Sequence, residues 1–306
     1  MLLWTACDSP PVYDVEELLG QRYLEPAFDE IEVKYNIPYD TVTTISGNEQ
    51  TLYFDFYEAI NDTATKRRLL LLLGGQDYTD LDKSQMDTLA HYFATLGYPV
   101  ANIDYRTYDG VLPMDSTSFY RTMLQARVDL LSAVRFFRKD TLRYGLAPFP
   151  FLAVGYSAGG FTALSAAYMD TLSEVPTEQL AFIEEEGGIR GDNFQDSTSI
   201  QIGRVVNIGG GVLDAFMLDR FDPPLMSVHG TADTIIPYCA GQSIFGNAIT
   251  DSIYLEGPCI LHERAELKSL KHVLMTVQEG SHKAFFRPEE CEDCLENVVK
   301  FLAGRL

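Results

Sequence analysis

Positive charge is scarce in this sequence. Lysine and arginine number 23 against 44 aspartates and glutamates, a formal net charge of −21. Such an imbalance argues against nucleic acid or an anionic membrane surface as the main partner. No stretch approaches the ~20 continuous apolar residues that a bilayer-spanning helix needs. Repeats and low-complexity tracts are absent, which removes solenoid and linker architectures. Histidine is sparse as well: there are only five, so any histidine-dependent chemistry must choose among His91, His229, His262, His272 and His282.

Five cysteines are also few, and they divide unevenly. The first follows "MLLWTA" at Cys7, a short apolar run and small residues, as at the end of a bacterial lipoprotein signal. On that reading residues 1–22 are a tail, Cys7 carries a lipid anchor, and the protein works outside the cytoplasm. The alternative is a disordered tail with a chance cysteine. Removing Cys7 leaves Cys239, Cys259, Cys291 and Cys294, an even number that suits one or two disulfides in an oxidising compartment. The Cys291-Glu-Asp-Cys294 spacing is a weak metal signal without a second close pair.

What remains is rich in alternating elements. "EIEVKYNI" and "QTLYFDFYEAI" alternate apolar and polar residues as an antiparallel pair would. "RRLLLLLGGQD", "YPVANIDYR", "FLAVGY", "RVVNIGG", "PLMSVHG" and "HVLMTVQEG" are apolar runs suited to strands buried on both faces. Between them lie helical stretches, among them "DKSQMDTLAHYFATLG", "FYRTMLQARVDLLSAVRFFRKDTLRYG", "ILHERAELKSL" and "PEECEDCLENVVKFLAG". Strand alternating with helix predicts a mostly parallel sheet of the eight-stranded type, flanked by helices, with ligands at the strands' carboxyl ends. Residues 171–201 break the rhythm; they are either a small cap insertion over the cleft or a solvated surface excursion. One domain over residues 23–306 is the economical division.

The chemistry centres on Gly155-Tyr156-Ser157-Ala158-Gly159, between an apolar strand and an alanine-rich helix. The turn is too sharp for side chains at its two ends, so the serine is forced into a strained conformation with its hydroxyl exposed. The bland reading is a serine that merely caps the helix. A serine nucleophile needs a base, and His282 in "EGSH" follows a strand at the start of a loop, where it can reach over the sheet. His262, in or near a helix, is a distant second. The base needs an acid to orient it. Asp233 in "HGTADTIIP" lies just past a strand; Asp214 in "GGGVLDAF" is the alternative. The spacings are 76 residues from Ser157 to Asp233 and 49 from Asp233 to His282. Two backbone donors must meet the developing oxyanion: the N–H of Ala158, and that of Gly75 or Gln76 after the third strand.

Together these segments ("LYFDFYEA", "LLLLLGGQDYTDLDK", "YPVANIDYR", "GYSAGG", "PPLMSVHGTADTIIPY" and "EGSH") make the chain resemble the α/β-hydrolase superfamily over nearly its full length. Within it the resemblance is to bacterial carboxylesterases and feruloyl-esterase-like enzymes. It implies an α/β-hydrolase fold and a serine ester hydrolase acting through an acyl-enzyme, with no metal or organic cofactor. The implied substrate is a small-molecule or carbohydrate-linked ester. A serine peptidase-like hydrolase is the near alternative, since oligopeptidases share the His-Gly-Thr-x-Asp type of segment, and a non-catalytic binding protein the remote one. One departure stands out: Leu73 occupies the place where many relatives carry a histidine that organises the oxyanion loop. Asp104 and Arg106 are expected to anchor structure. Tyr78, Tyr105, Tyr108, Phe119 and Tyr120 are either cleft aromatics or core packing, the more frequent fate.

Overall fold

Four consecutive leucines, Leu70 to Leu73, explain the architecture better than any other segment. In a strand successive side chains point to opposite faces. Leu71 and Leu73 enter one hydrophobic core, and Leu70 and Leu72 enter a second on the other side of the same sheet. All four are fully buried, so both faces of this strand must be covered. The computed structural model describes residues 22–75, 77–80, 82–192, 195–243 and 250–306. Cys7 lies outside the described residues.

Ten strands are described: β1 (Ile31–Thr43), β2 (Glu49–Ala59), β3 (Leu70–Leu73), β4 (Val100–Ile103), β5 (Phe151–Tyr156), β6 (Ile202–Ile208), β7 (Leu225–Gly230), β8 (Ala240–Ser243), β9 (Ile253–Glu256) and β10 (His272–Val277). Eight form one sheet in the order β1-β2-β4-β3-β5-β6-β7-β10, and β8 and β9 form a separate antiparallel hairpin. β2 pairs antiparallel with β1 and with β4, and every other pairing in the large sheet is parallel. This is the mostly parallel sheet expected from the alternation of elements, in the α/β-hydrolase arrangement that the resemblance implies.

Six helices are described: α1 (Asp87–Thr95), α2 (Ser116–Lys139), α3 (Ala158–Tyr168), α4 (Leu180–Glu185), α5 (Pro258–Leu267) and α6 (Cys294–Ala303). α2, α3 and α5 pack their apolar residues into the first core, and α1 and α6 into the second. Asp115 caps α2 by accepting from the Ser118 N–H, so this helix starts three residues earlier than its apolar periodicity suggests. Arg106 and Asp129 form a buried pair at 2.7 Å that ties the end of β4 to α2, an anchoring role. Residues 171–192 pack against α2, through Arg121–Glu185 and Gln125–Glu186, both at 2.9 Å. None of the described residues of 171–201 lines the cavity over Ser157. The four cysteines form two disulfides, Cys239–Cys259 and Cys291–Cys294.

Candidate active site

Ser157 follows β5 directly, at φ 53° and ψ −118°. A positive φ is costly for a residue with a Cβ and is held only where the surroundings over-determine it. Here the flanking glycines do so. A Cβ on Gly155 would collide with the carbonyl of Gly159, and one on Gly159 with the carbonyl of Leu73. β5 and α3 therefore approach more closely than side chains permit, and the turn between them lifts the serine above the sheet. The Ser157 side chain makes no capping bond to α3, which removes the helix-cap reading.

Three elements deliver the partners. His282 lies beyond β10 and crosses back over the ends of β7 and β6. Gly209, at φ 59° after β6, leaves room for it: a Cβ there would sit 3.4 Å from the imidazole. His282 Nε2 lies 3.0 Å from Ser157 Oγ, and His282 Nδ1 lies 2.7 Å from Asp233 Oδ2. An ionised carboxylate can only accept, so the imidazole proton sits on Nδ1 and Nε2 accepts from the serine hydroxyl. The loop after β7 holds Asp233, whose Oδ1 accepts from the backbone N–H groups of Ile235 and Ile236 at 2.8 and 3.0 Å. Burial by itself would raise this carboxyl. Hydrogen bonds from His229 and His282 outweigh burial and hold it well below the usual carboxylate range.

The other candidates lie elsewhere. His262, in α5, is hydrogen-bonded to His272 at 2.9 Å, and burial pushes its imidazole down to about 3. Asp214 is exposed and accepts from the Phe216 N–H in a short turn. His91 sits in α1 against Tyr57.

Gly75, at the end of the β3 loop, lies against the elbow, while Gln76 lies outside the described residues. Leu73 points into the first core, and the loop after it is held by tyrosines instead. Tyr105 donates to the Gly74 carbonyl, and Tyr78 donates to the Ala158 carbonyl at 2.9 Å. This gives Tyr78 and Tyr105 structural work, and Phe119 packs beside Tyr78. None of the five aromatics considered from the sequence lines the cavity above Ser157. That cavity, of about 550 Å³, is walled by Tyr156, Ile235 and Phe286 and by the polar Asp77, Gln85 and Lys283. Tyr156 and Phe286 are the aromatics that sequence reasoning missed; Tyr156 is the variable residue of the elbow motif itself, placed beside His282 with 5.3 Å between ring centres.

Residues 54–212 match the BD-FAE family model, from β2 through the elbow to the loop after β6. The chain belongs to the BD-FAE family. This is a family of α/β-hydrolase-type esterases, and its match covers the elbow and the β3 loop while Asp233 and His282 lie beyond it. No curated protein matches the sequence. Solved structures share the fold. The propionate-bound thermophilic esterase Est2 of the Planctomycetes species Thermogutta terrifontis is 18% identical at a TM-score of 0.62, covering 89% of this chain and 93% of that one. The same esterase phosphoramylated by tabun gives 18% and 0.64, over 91% and 96% of the two chains. A truncated carbohydrate esterase from gut microbiota gives 16% and 0.60, over 92% and 98%.

Proposed function

We propose that this BD-FAE member is a serine ester hydrolase that works through an acyl-enzyme, with Ser157 as nucleophile, His282 as base and acid, and Asp233 as orienting carboxylate. The observation that carries this reading is the unbroken chain from Ser157 Oγ through His282 to Asp233, at 3.0 and 2.7 Å. Ser157 Oγ attacks the ester carbonyl as His282 Nε2 takes its proton. The oxyanion is met by the N–H of Ala158 and by that of Gly75 or Gln76. The imidazolium returns its proton to the departing alkoxide, leaving the acyl group on Ser157. Water then attacks the acyl-enzyme with His282 again as base, and the acid departs.

The substrate we propose is a short-chain or small aryl ester whose alcohol part is a small molecule or a carbohydrate. The cavity's size and its aromatic and polar walls support this, as does the carbohydrate esterase among the structural neighbours. The test is hydrolysis of p-nitrophenyl esters of rising chain length by the wild type and by Ser157→Ala, alongside labelling by a fluorophosphonate probe. Activity on short esters and labelling that both vanish in Ser157→Ala are expected. A folded wild type that neither hydrolyses nor labels would overturn the reading, and a rate maximum at long acyl chains would overturn the substrate class.

A further inference from the structure

Four polar groups surround the Asp233 carboxylate. Oδ1 takes two backbone N–H groups, and Oδ2 lies 2.7 Å from His282 Nδ1 and 3.0 Å from His229 Nε2. Two imidazoles meet at one oxygen. His229 is the penultimate residue of β7, and its side chain is wholly buried. The carbonyl of Ile236 lies 3.1 Å from the same His229 Nε2. With an acceptor on each side, that nitrogen carries the ring's proton. His229 Nδ1 is buried without a hydrogen-bond partner among the described residues.

We infer that His229 is a positioning residue of this site: a neutral N–H that shares the Asp233 oxygen with His282, fixes the carboxylate's orientation and draws off part of its charge. The inference rests on the reaction proposed above. Its first consequence is geometric, because Asp233 is gripped from the strand that precedes it as well as from its own loop. The second is electrostatic. A carboxylate that already serves one donor exerts a weaker pull on the next. Removing the His229 donor therefore strengthens the pull of Asp233 on the His282 N–H. The other groups facing His282 are Ser157 and Tyr156 from the elbow and Asp77 from the β3 loop; Tyr238 faces His229.

The test compares His229→Leu, which removes the donor, with His229→Gln, whose amide returns an N–H at similar reach. For His229→Leu we expect kcat to fall about tenfold or more with little change in KM. The acid limb of the kcat/KM profile should move to higher pH by about half a unit. His229→Gln should bring the limb back. The His282 ring titration, followed by NMR in a Ser157→Ala background, should move in the same sense and needs no turnover, so it decides this point even if the ester chemistry is wrong. A limb and a His282 titration that coincide in all three proteins would overturn the role, whatever the loss of stability. Should His229→Leu not fold, nitrogen-15 NMR of the wild type at about pH 8 decides: a proton on Nε2 of His229 supports the inference and a proton on Nδ1 refutes it.

Discussion

A Cβ on Gly75 would lie 2.6 Å from the backbone nitrogen of Ala158 and 2.5 Å from the carbonyl oxygen of Tyr156. The two loops that would supply the oxyanion donors thus touch backbone to backbone, and only a glycine permits it. Gly75→Ala should push the β3 loop away from the elbow and spoil the donor pair. Loss of one such donor typically costs ~2.7–4 kcal/mol of barrier, roughly 10² to 10³ in kcat. Steady-state kinetics together with a melting curve would check this. A folded Gly75→Ala enzyme within threefold of wild type would remove Gly75 from the proposed hole.

Asp77 stands in the same cavity as Ser157. Burial raises its carboxyl and the field of His282 lowers it, which places the two groups in electrostatic reach. A carboxylate there should disfavour esters that carry a negative charge. Asn tolerates the left-handed φ of 52° at this position, so Asp77→Asn should keep the loop's shape. We expect it to raise kcat/KM for the p-nitrophenyl half-ester of succinate, relative to p-nitrophenyl acetate, about tenfold. That is the scale of like charges about 12 Å apart at an effective dielectric near 20. An unchanged ratio would mean that Asp77 points away from the bound acid.

How far the site was legible follows from where its constraints are written. Ser157, Asp233 and His282 each follow an apolar run, so the strand ends mark their positions in the sequence. The elbow is legible because its glycines are obligatory at the sequence level. His229 carries no such signal: its partner is an oxygen, and a burial pattern says nothing about which polar atom a buried ring will meet. β8 and β9 passed unseen since Ala240–Ser243 is short and mostly polar, and its pairing depends on Ile253–Glu256 across a ten-residue-scale gap. The cysteine pairing was equally closed, as four cysteines allow three connectivities. α6 begins only at Cys294, because the "PEECEDC" stretch expected to open it is turned back by the Cys291–Cys294 bridge.

Asp222 gives a stability prediction with a definite sign. Burial pushes its carboxyl up to about 7, with the charges of Asp219, Asp170 and Glu174 adding to the shift, even though Asp222 accepts a 2.7 Å bond from the Asp219 N–H. The unfolded carboxyl titrates near ~3.9. Between those values the folded chain holds a proton that the unfolded chain has released. The stabilising effect of that proton is complete below about pH 4 and is lost as pH rises through about 7. Asp222→Asn removes the titration and keeps an oxygen for the Asp219 N–H. Its melting temperature should therefore exceed the wild type's at about pH 8, and the gap should close toward pH 4. A gap that is constant across that range, or of opposite sign at pH 8, would show that Asp222 is solvated well enough to ionise without cost.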